Sequence, residues 1–191
     1  MKRKLTVNVG SMFSGKTTEL LRQGKRHTIA KDKVLYIKPT IDARYSNTKI
    51  VSHDGEASDY TQSMVVDIND SIYCDEVLEA DVILIDEIQF FNFTIIDDIL
   101  RLLDKGKVIY CSGLDLTFDN VPFEVTGSLM CHADMINKFK AVCNECGNDA
   151  HVSARKNIKG ANKETIDIGS SDKYTPLCRK CYSELNTGGM V

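Results

Sequence analysis

The sequence lacks a dominant charge: 24 Lys and Arg stand against 27 Asp and Glu, leaving a formal net charge of −3. Such a chain sets up no global field toward a nucleic-acid backbone, so nucleic acid is not expected as a partner. It also lacks any apolar run near the roughly 18–20 residues needed to cross a bilayer, so no membrane span is expected. The basic start Met1-Lys2-Arg3-Lys4 is followed by only a short apolar run ending in a glycine loop, unlike a secretory leader. A cytoplasmic protein is expected. Internal repeats and low-complexity tracts are absent as well. Seven cysteines in a reducing compartment point to metal ligation or burial, not to disulfides.

What is present is ordinary globular material. Hydrophobic residues make up 42% and charged residues 27% of 191 positions, enough for one substantial domain with a small appendage. Over the first ~140 residues, short β-branched runs alternate with helical patterns, the signature of an α/β fold with a largely parallel sheet. Strands are predicted over 5–9, 34–37, 82–85 and 108–111, and helices over 16–29 and 94–104, the second capped by Thr94 and ended by Gly106. Residues 82–85 (Val-Ile-Leu-Ile) are the most apolar run and suit a central strand covered on both faces. The segments 40–61 and 156–173 read as long loops, of the kind used as lids. From Cys143 onward the apolar runs shorten and paired cysteines take over.

Gly10-Ser11-Met12-Phe13-Ser14-Gly15-Lys16-Thr17 fits G-x-x-x-x-G-K-[ST] between a predicted strand and a predicted helix. Its glycines let successive backbone N–H groups face phosphate oxygens, and the following helix presents its positive end to the same anion. Lys16 adds charge near the β- and γ-phosphates, and the Thr17 hydroxyl suits Mg²⁺. The bland alternative is a glycine turn that merely ends a strand.

Asp86 and Glu87 follow the apolar run at 82–85, which places two carboxylates at the carboxyl edge of a strand, beside the phosphate loop. Asp86 suits a magnesium-associated role and Glu87 that of a proton acceptor. The same pair serves an ATPase activating water or a kinase activating an alcohol; on its own it is also an ordinary solvated strand end.

Cys143-x-x-Cys146 and Cys178-x-x-Cys181 supply two hooks of two thiolates each. Together they complete a tetrahedral Cys₄ site with no open position, as in structural zinc. An iron–sulfur cluster and unligated buried cysteines remain as alternatives. Cys74, Cys111 and Cys131 have no partner at ligand spacing and read as buried small hydrophobes.

The ordered set resembles the zinc-containing thymidine kinases in their short bacterial and phage form: the phosphate loop, Asp86-Glu87-Ile88-Gln89-Phe90, Gly113-Leu114-Asp115, Lys38-Pro39-x-x-Asp42-x-Arg44-Tyr45, Ser52-His53-x-Gly55, and the cysteine hooks with Tyr174-Thr175-Pro176-Leu177-Cys178. It spans residues 9–182. The resemblance implies a P-loop α/β ATP-binding domain over 1–142 and a zinc-binding lasso domain over 143–191. It implies transfer of the γ-phosphate of ATP to the 5′-hydroxyl of thymidine or deoxyuridine in nucleotide salvage, with Mg²⁺ and a structural Zn²⁺.

Carried over by position, Glu87 is the general base, and Lys16 and Arg44 act on the transferring group, with Asp42 in the same loop. Residues 10–17, Asp86 and Gln89 contact ATP, and Thr17 and Asp86 lie at Mg²⁺. Met12, Phe90, Leu114, Phe118, Phe123 and Tyr174 line the nucleoside pocket. The lasso, 165–174, closes over it with mainly backbone hydrogen bonds, through Thr165, Asp167, Ile168 and Gly169. Zinc falls to Cys143, Cys146, Cys178 and Cys181. The family also implies a homotetramer inhibited by thymidine triphosphate. Ile88 replaces a usually small residue and is expected to crowd the base position, and Ser11 stands where proline is frequent. Phe91, Phe93 and Phe139 read as core or interface.

Two rival classes use some of the same residues. A nucleic-acid-stimulated ATPase would share the phosphate loop and acid pair but calls for a basic stripe that is absent. A non-catalytic zinc module has no use for Lys16, Thr17, Asp86 and Glu87.

Overall fold

Strand β1 (Lys4–Gly10) alternates two kinds of side chain. Leu5, Val7 and Val9 join the larger core cluster, whereas Thr6 and Asn8 are buried polar residues on the other face. The computed structural model, which describes residues 3–41, 62–156 and 173–187, places β1 inside a six-stranded sheet. It is joined there by β2 (Val34–Pro39), β3 (Gln62–Val66), β4 (Val82–Ile85), β5 (Val108–Gly113) and β6 (Met135–Phe139). The order is β3-β2-β4-β5-β1-β6, and every pairing is parallel.

Helices cover both faces, as a parallel sheet requires. Helix α1 (Lys16–Ile29) buries Leu20 and Gly24, one turn apart on one stripe. Leu20 packs with Val34, Tyr36, Val82, Leu84 and Tyr110, so Leu20→Ala would cost about 2–5 kcal/mol through the cavity it leaves. The opposite face carries α3 (Ile95–Asp104), which buries Ile95, Ile96, Ile99 and Leu102, and α4 (Glu124–His132). A short α2 (Asp75–Glu79) precedes β4.

The strands predicted at 5–9, 34–37, 82–85 and 108–111 and the helix at 16–29 are all present, some with a residue or two more. The capping role expected of Thr94 is not. It sits at the N-cap position of α3, but with helical dihedrals (φ −59°, ψ −20°) and no side-chain capping bond; the chain is already turning at Asn92, whose carbonyl accepts from Ile95 N–H.

Past the sheet, β7 (Val152–Arg155) and β8 (Tyr174–Leu177) form an antiparallel pair, followed by α5 (Arg179–Thr187). Their core is thin: Ala141, Cys143, Ala150, Ala154, Leu177 and Cys178. With so little apolar bulk, a metal ligated by these cysteines would add folding free energy directly.

Candidate active site

The phosphate loop leaves β1 at Gly10, whose φ of 147° lies outside the range that L side chains favour. A Cβ at Gly10 would also strike the Phe139 carbonyl oxygen of β6. Gly15 (φ 82°) sits just before α1, so the loop ends on a helix N-terminus. Lys16 folds back, its Nζ donating to the Ser11 carbonyl at 2.7 Å. Loss of solvation pulls the Lys16 pKa below its ordinary value, while the carboxylates of Glu87, Asp86 and Asp115 pull it upward. Three acids from the ends of β4 and β5 therefore act on the lysine that follows β1.

A buried polar ladder runs beneath that helix start. Asn137 Nδ2 donates to Asn8 Oδ1 at 2.9 Å, Asn8 Nδ2 to the Ser112 hydroxyl at 3.4 Å, and Ser112 in turn to the Lys16 carbonyl at 3.4 Å. It ties β6, β1 and β5 to the first turn of α1.

Asp86 is 7% exposed, and its Oδ1 accepts from the N–H of Glu87 at 3.0 Å. Glu87 adopts the left-handed conformation (φ 50°, ψ 41°) just before a 3₁₀ turn, Ile88–Phe90. For a non-glycine residue that conformation costs about 1–3 kcal/mol and concentrates at functional sites. Gln89 Nε2 donates to Glu87 Oε2 at 2.5 Å. Ile88 is fully buried in the core, and its Cγ2 lies where only a glycine at 113 leaves room.

Met12, Phe90, Leu114, Phe118 and Phe123 are each half-buried, apolar surface that remains within reach of a ligand. Phe118 faces Tyr174 of β8 with ring centroids 6.4 Å apart, the Arg155 guanidinium stands 5.4 Å from the Phe118 ring centre, and the Tyr182 hydroxyl donates to the Phe118 carbonyl at 2.8 Å. The cysteine-bearing part is thus docked on the β5–α4 connection. Phe123 N–H donates to the Asp115 carbonyl at 3.1 Å, fixing where α4 begins.

The sequence pointed less clearly to other neighbours of the site. Asp115 is 7% exposed and pairs with Lys138 Nζ at 2.8 Å; its place just past β5 parallels that of Asp86 just past β4. Ser153 has no such local signal, yet its hydroxyl accepts from Met12 N–H at 2.8 Å. Arg44, Asp42, His53, Thr165, Asp167, Ile168 and Gly169 lie outside the described residues, as do most of the segments 40–61 and 156–173.

The sulfurs of Cys143, Cys146, Cys178 and Cys181 all lie within 4.8 Å of one another, and those of Cys146 and Cys178 are 3.6 Å apart. Thiolates about 2.3 Å from a tetrahedral zinc would be about 3.8 Å apart, so the cluster fits that ion. Burial pushes the Cys143 thiol up, but backbone N–H groups of Cys178, Cys146 and Glu145 bring it to about 6. The Cys181 N–H similarly lowers Cys178.

Among solved structures, flagellar accessory protein FlaH from Methanocaldococcus jannaschii is similar to this chain with a TM-score of 0.50 at 16% identity, over 78% of this chain and 75% of that one. That likeness concerns the fold alone. Sequence relatives carry more. A thymidine kinase of Bacteroides fragilis is 41% identical over 94% of this chain and 86% of its own length. One from Porphyromonas gingivalis is 40% identical over 96% and 86%. The sequence pattern of the family described as thymidine kinase matches residues 3–182. With that match and those relatives, the chain belongs to the thymidine kinase family.

Proposed function

We propose that Glu87, Lys16 and Arg44 carry out the transfer of the γ-phosphoryl group of ATP to the 5′-hydroxyl of thymidine in this chain. The observation that carries the reading is that the ends of β4 and β5, followed by Asp86, Glu87 and Asp115, lie on the same edge of the parallel sheet as the phosphate loop that follows β1, so that these carboxylates act electrostatically on Lys16. In the reaction, the 5′-oxygen forms a bond to the γ-phosphorus and the bond from that phosphorus to the bridging oxygen of ADP breaks. Glu87 takes the hydroxyl proton, and Lys16 offsets charge on the phosphates. The backbone N–H groups of residues 10–17 cradle the triphosphate.

Thr17 and Asp86 are the residues that would hold Mg²⁺, and their hydroxyl and carboxylate oxygens are hard donors suited to it. When bound, that ion neutralises charge on the β- and γ-phosphates. Met12, Phe90, Leu114, Phe118, Phe123 and Tyr174 receive the nucleoside, with the segment around Thr165, Asp167, Ile168 and Gly169 closing over it. The cysteine cluster holds one structural zinc. A homotetramer, inhibition by thymidine triphosphate and a cytoplasmic setting complete the reading; among the described residues no helix is long and apolar enough to cross a membrane.

The test is Glu87→Gln, which keeps the shape of the side chain and removes the basic oxygen. Turnover is expected to fall by about 10²–10⁴-fold with ATP affinity little changed. Near-normal turnover would move the base to another group, Asp42 first.

A further inference from the structure

Gln89 follows the acid pair, and the family resemblance places it among the ATP contacts. Its side chain is 5% exposed, and both ends of its amide are held by protein. Nε2 donates to Glu87 Oε2 at 2.5 Å, and Oε1 accepts from the N–H of Leu114 at 3.0 Å. The two partners fix the orientation of the amide: Leu114 N–H needs an acceptor and the Glu87 carboxylate needs a donor, so neither contact survives a flip.

The surroundings are cleared for this bridge. A Cβ on Gly113 would come within 2.6 Å of Gln89 Oε1 and within 2.6 Å of Ile88 Cγ2. Glu87, meanwhile, sits in a left-handed backbone conformation that persists only when neighbours over-determine it. Phe90 N–H holds the Glu87 carbonyl at 3.0 Å, and Gln89 holds its carboxylate.

We propose that Gln89 is a positioning residue, whose buried amide ties the carboxylate of Glu87 to the Leu114 end of β5 and so sets the base at a fixed distance from the nucleoside. This rests on the reading of Glu87 as the base and of Leu114 as part of the nucleoside seat. It assigns Gln89 a role through Glu87 in place of direct contact with phosphate. The side chain is matched to the task. Methionine has similar length but neither donor nor acceptor, asparagine is one methylene too short to reach both partners, and glutamate would set one carboxylate against another.

The test is a double-mutant cycle on the full-length protein with ATP and thymidine, measuring kcat and both KM values, with a thermal melt of each variant. Gln89→Met is expected to lower kcat by about 10–100-fold, the scale of misplacing a catalytic group by about 1 Å, with KM for ATP unchanged within about twofold. In the Glu87→Gln background, where there is no base left to position, the same substitution is expected to change kcat by less than about threefold. Gln89→Asn should reproduce this pattern and carries the cycle if the methionine variant does not fold. Equal fold-losses in both backgrounds would overturn the proposal, because a general structural lesion acts whether or not the base is present. A raised KM for ATP at unchanged kcat would also overturn it and return Gln89 to the phosphates. Failure of the underlying reading looks different: Glu87→Gln alone would then keep its turnover.

Discussion

The Ser153 hydroxyl accepts a 2.8 Å hydrogen bond from the N–H of Met12, joining β7 of the cysteine-bearing part to the phosphate loop. Ser153 is 4% exposed, so water does not readily replace this contact. Ser153→Ala leaves the Met12 N–H unpaired at a cost of about 1 kcal/mol. Because Met12 is assigned to the nucleoside seat, KM for thymidine should rise about fivefold while KM for ATP stays nearly constant. Steady-state kinetics with each substrate varied in turn checks this; an equal rise in both constants would count against it.

Gly113→Ala places a methyl 2.6 Å from both Gln89 Oε1 and Ile88 Cγ2. Overpacking of this kind costs about 1–3 kcal/mol, and the displaced groups adjoin Glu87 and Leu114. A lower melting temperature and a drop in kcat of about tenfold or more are expected together. Ile88→Ala by itself opens a cavity worth about 2–5 kcal/mol. In the Gly113→Ala background it relieves part of the crowding, so the double variant should melt above the temperature that additivity gives. Strict additivity in the melts would show that the two positions do not compete for space.

Metal analysis should find one zinc per chain, and chelation should act mainly on the nucleoside side of the reaction. The hooks close the ends of the 147–177 segment, and the buried apolar cluster around them consists of three alanines, Leu177 and two of the cysteines themselves. Zinc removal should therefore loosen β7 and β8 and raise KM for thymidine by roughly tenfold or more, while ATP still binds to the loop on β1. A Cys143→Ser/Cys178→Ser double variant with full activity would remove the structural role.

Nucleoside choice follows from hydrogen-bonding edges. Uracil differs from thymine only by the C5 methyl, worth about 1–3 kcal/mol in an apolar pocket. Cytosine instead presents a donor where thymine has the O4 acceptor. A site built around the thymine edge would reject it by about 10⁴-fold or more. Equal concentrations of thymidine, deoxyuridine and deoxycytidine in one reaction give the order directly, with deoxyuridine accepted and deoxycytidine poor. Equal phosphorylation of the last two would show that this edge is not read.

The parts legible in the sequence are those written locally. Residues 10–17 carry their own turn and helix start, the run at 82–85 announces a strand buried on both faces, and each cysteine hook brings two ligands within one turn. The helix at 94–104 was legible from its apolar spacing, but its cap was not, since Asn92 and Phe93 already begin the turn that Thr94 was expected to start. Contacts set by long-range register were hidden. Nothing near Ser153 in sequence points to Met12, 141 positions away. Nor does the substitution of Ile at 88 reveal that Gly113 makes room for it, because the two meet only when β4 and β5 lie side by side. The left-handed Glu87 belongs to the same class: its local sequence, Asp-Glu-Ile-Gln, contains no glycine or asparagine to mark the turn.

The most direct test of the account follows the γ-phosphate itself. The protein is incubated with ATP labelled in that group, Mg²⁺ and thymidine, and the products are separated. Label is expected in thymidine 5′-monophosphate only when thymidine is present, and Glu87→Gln is expected to lower this transfer by about 10²–10⁴-fold. Label released as inorganic phosphate at a rate indifferent to thymidine would contradict it, since the acid pair would then be activating water.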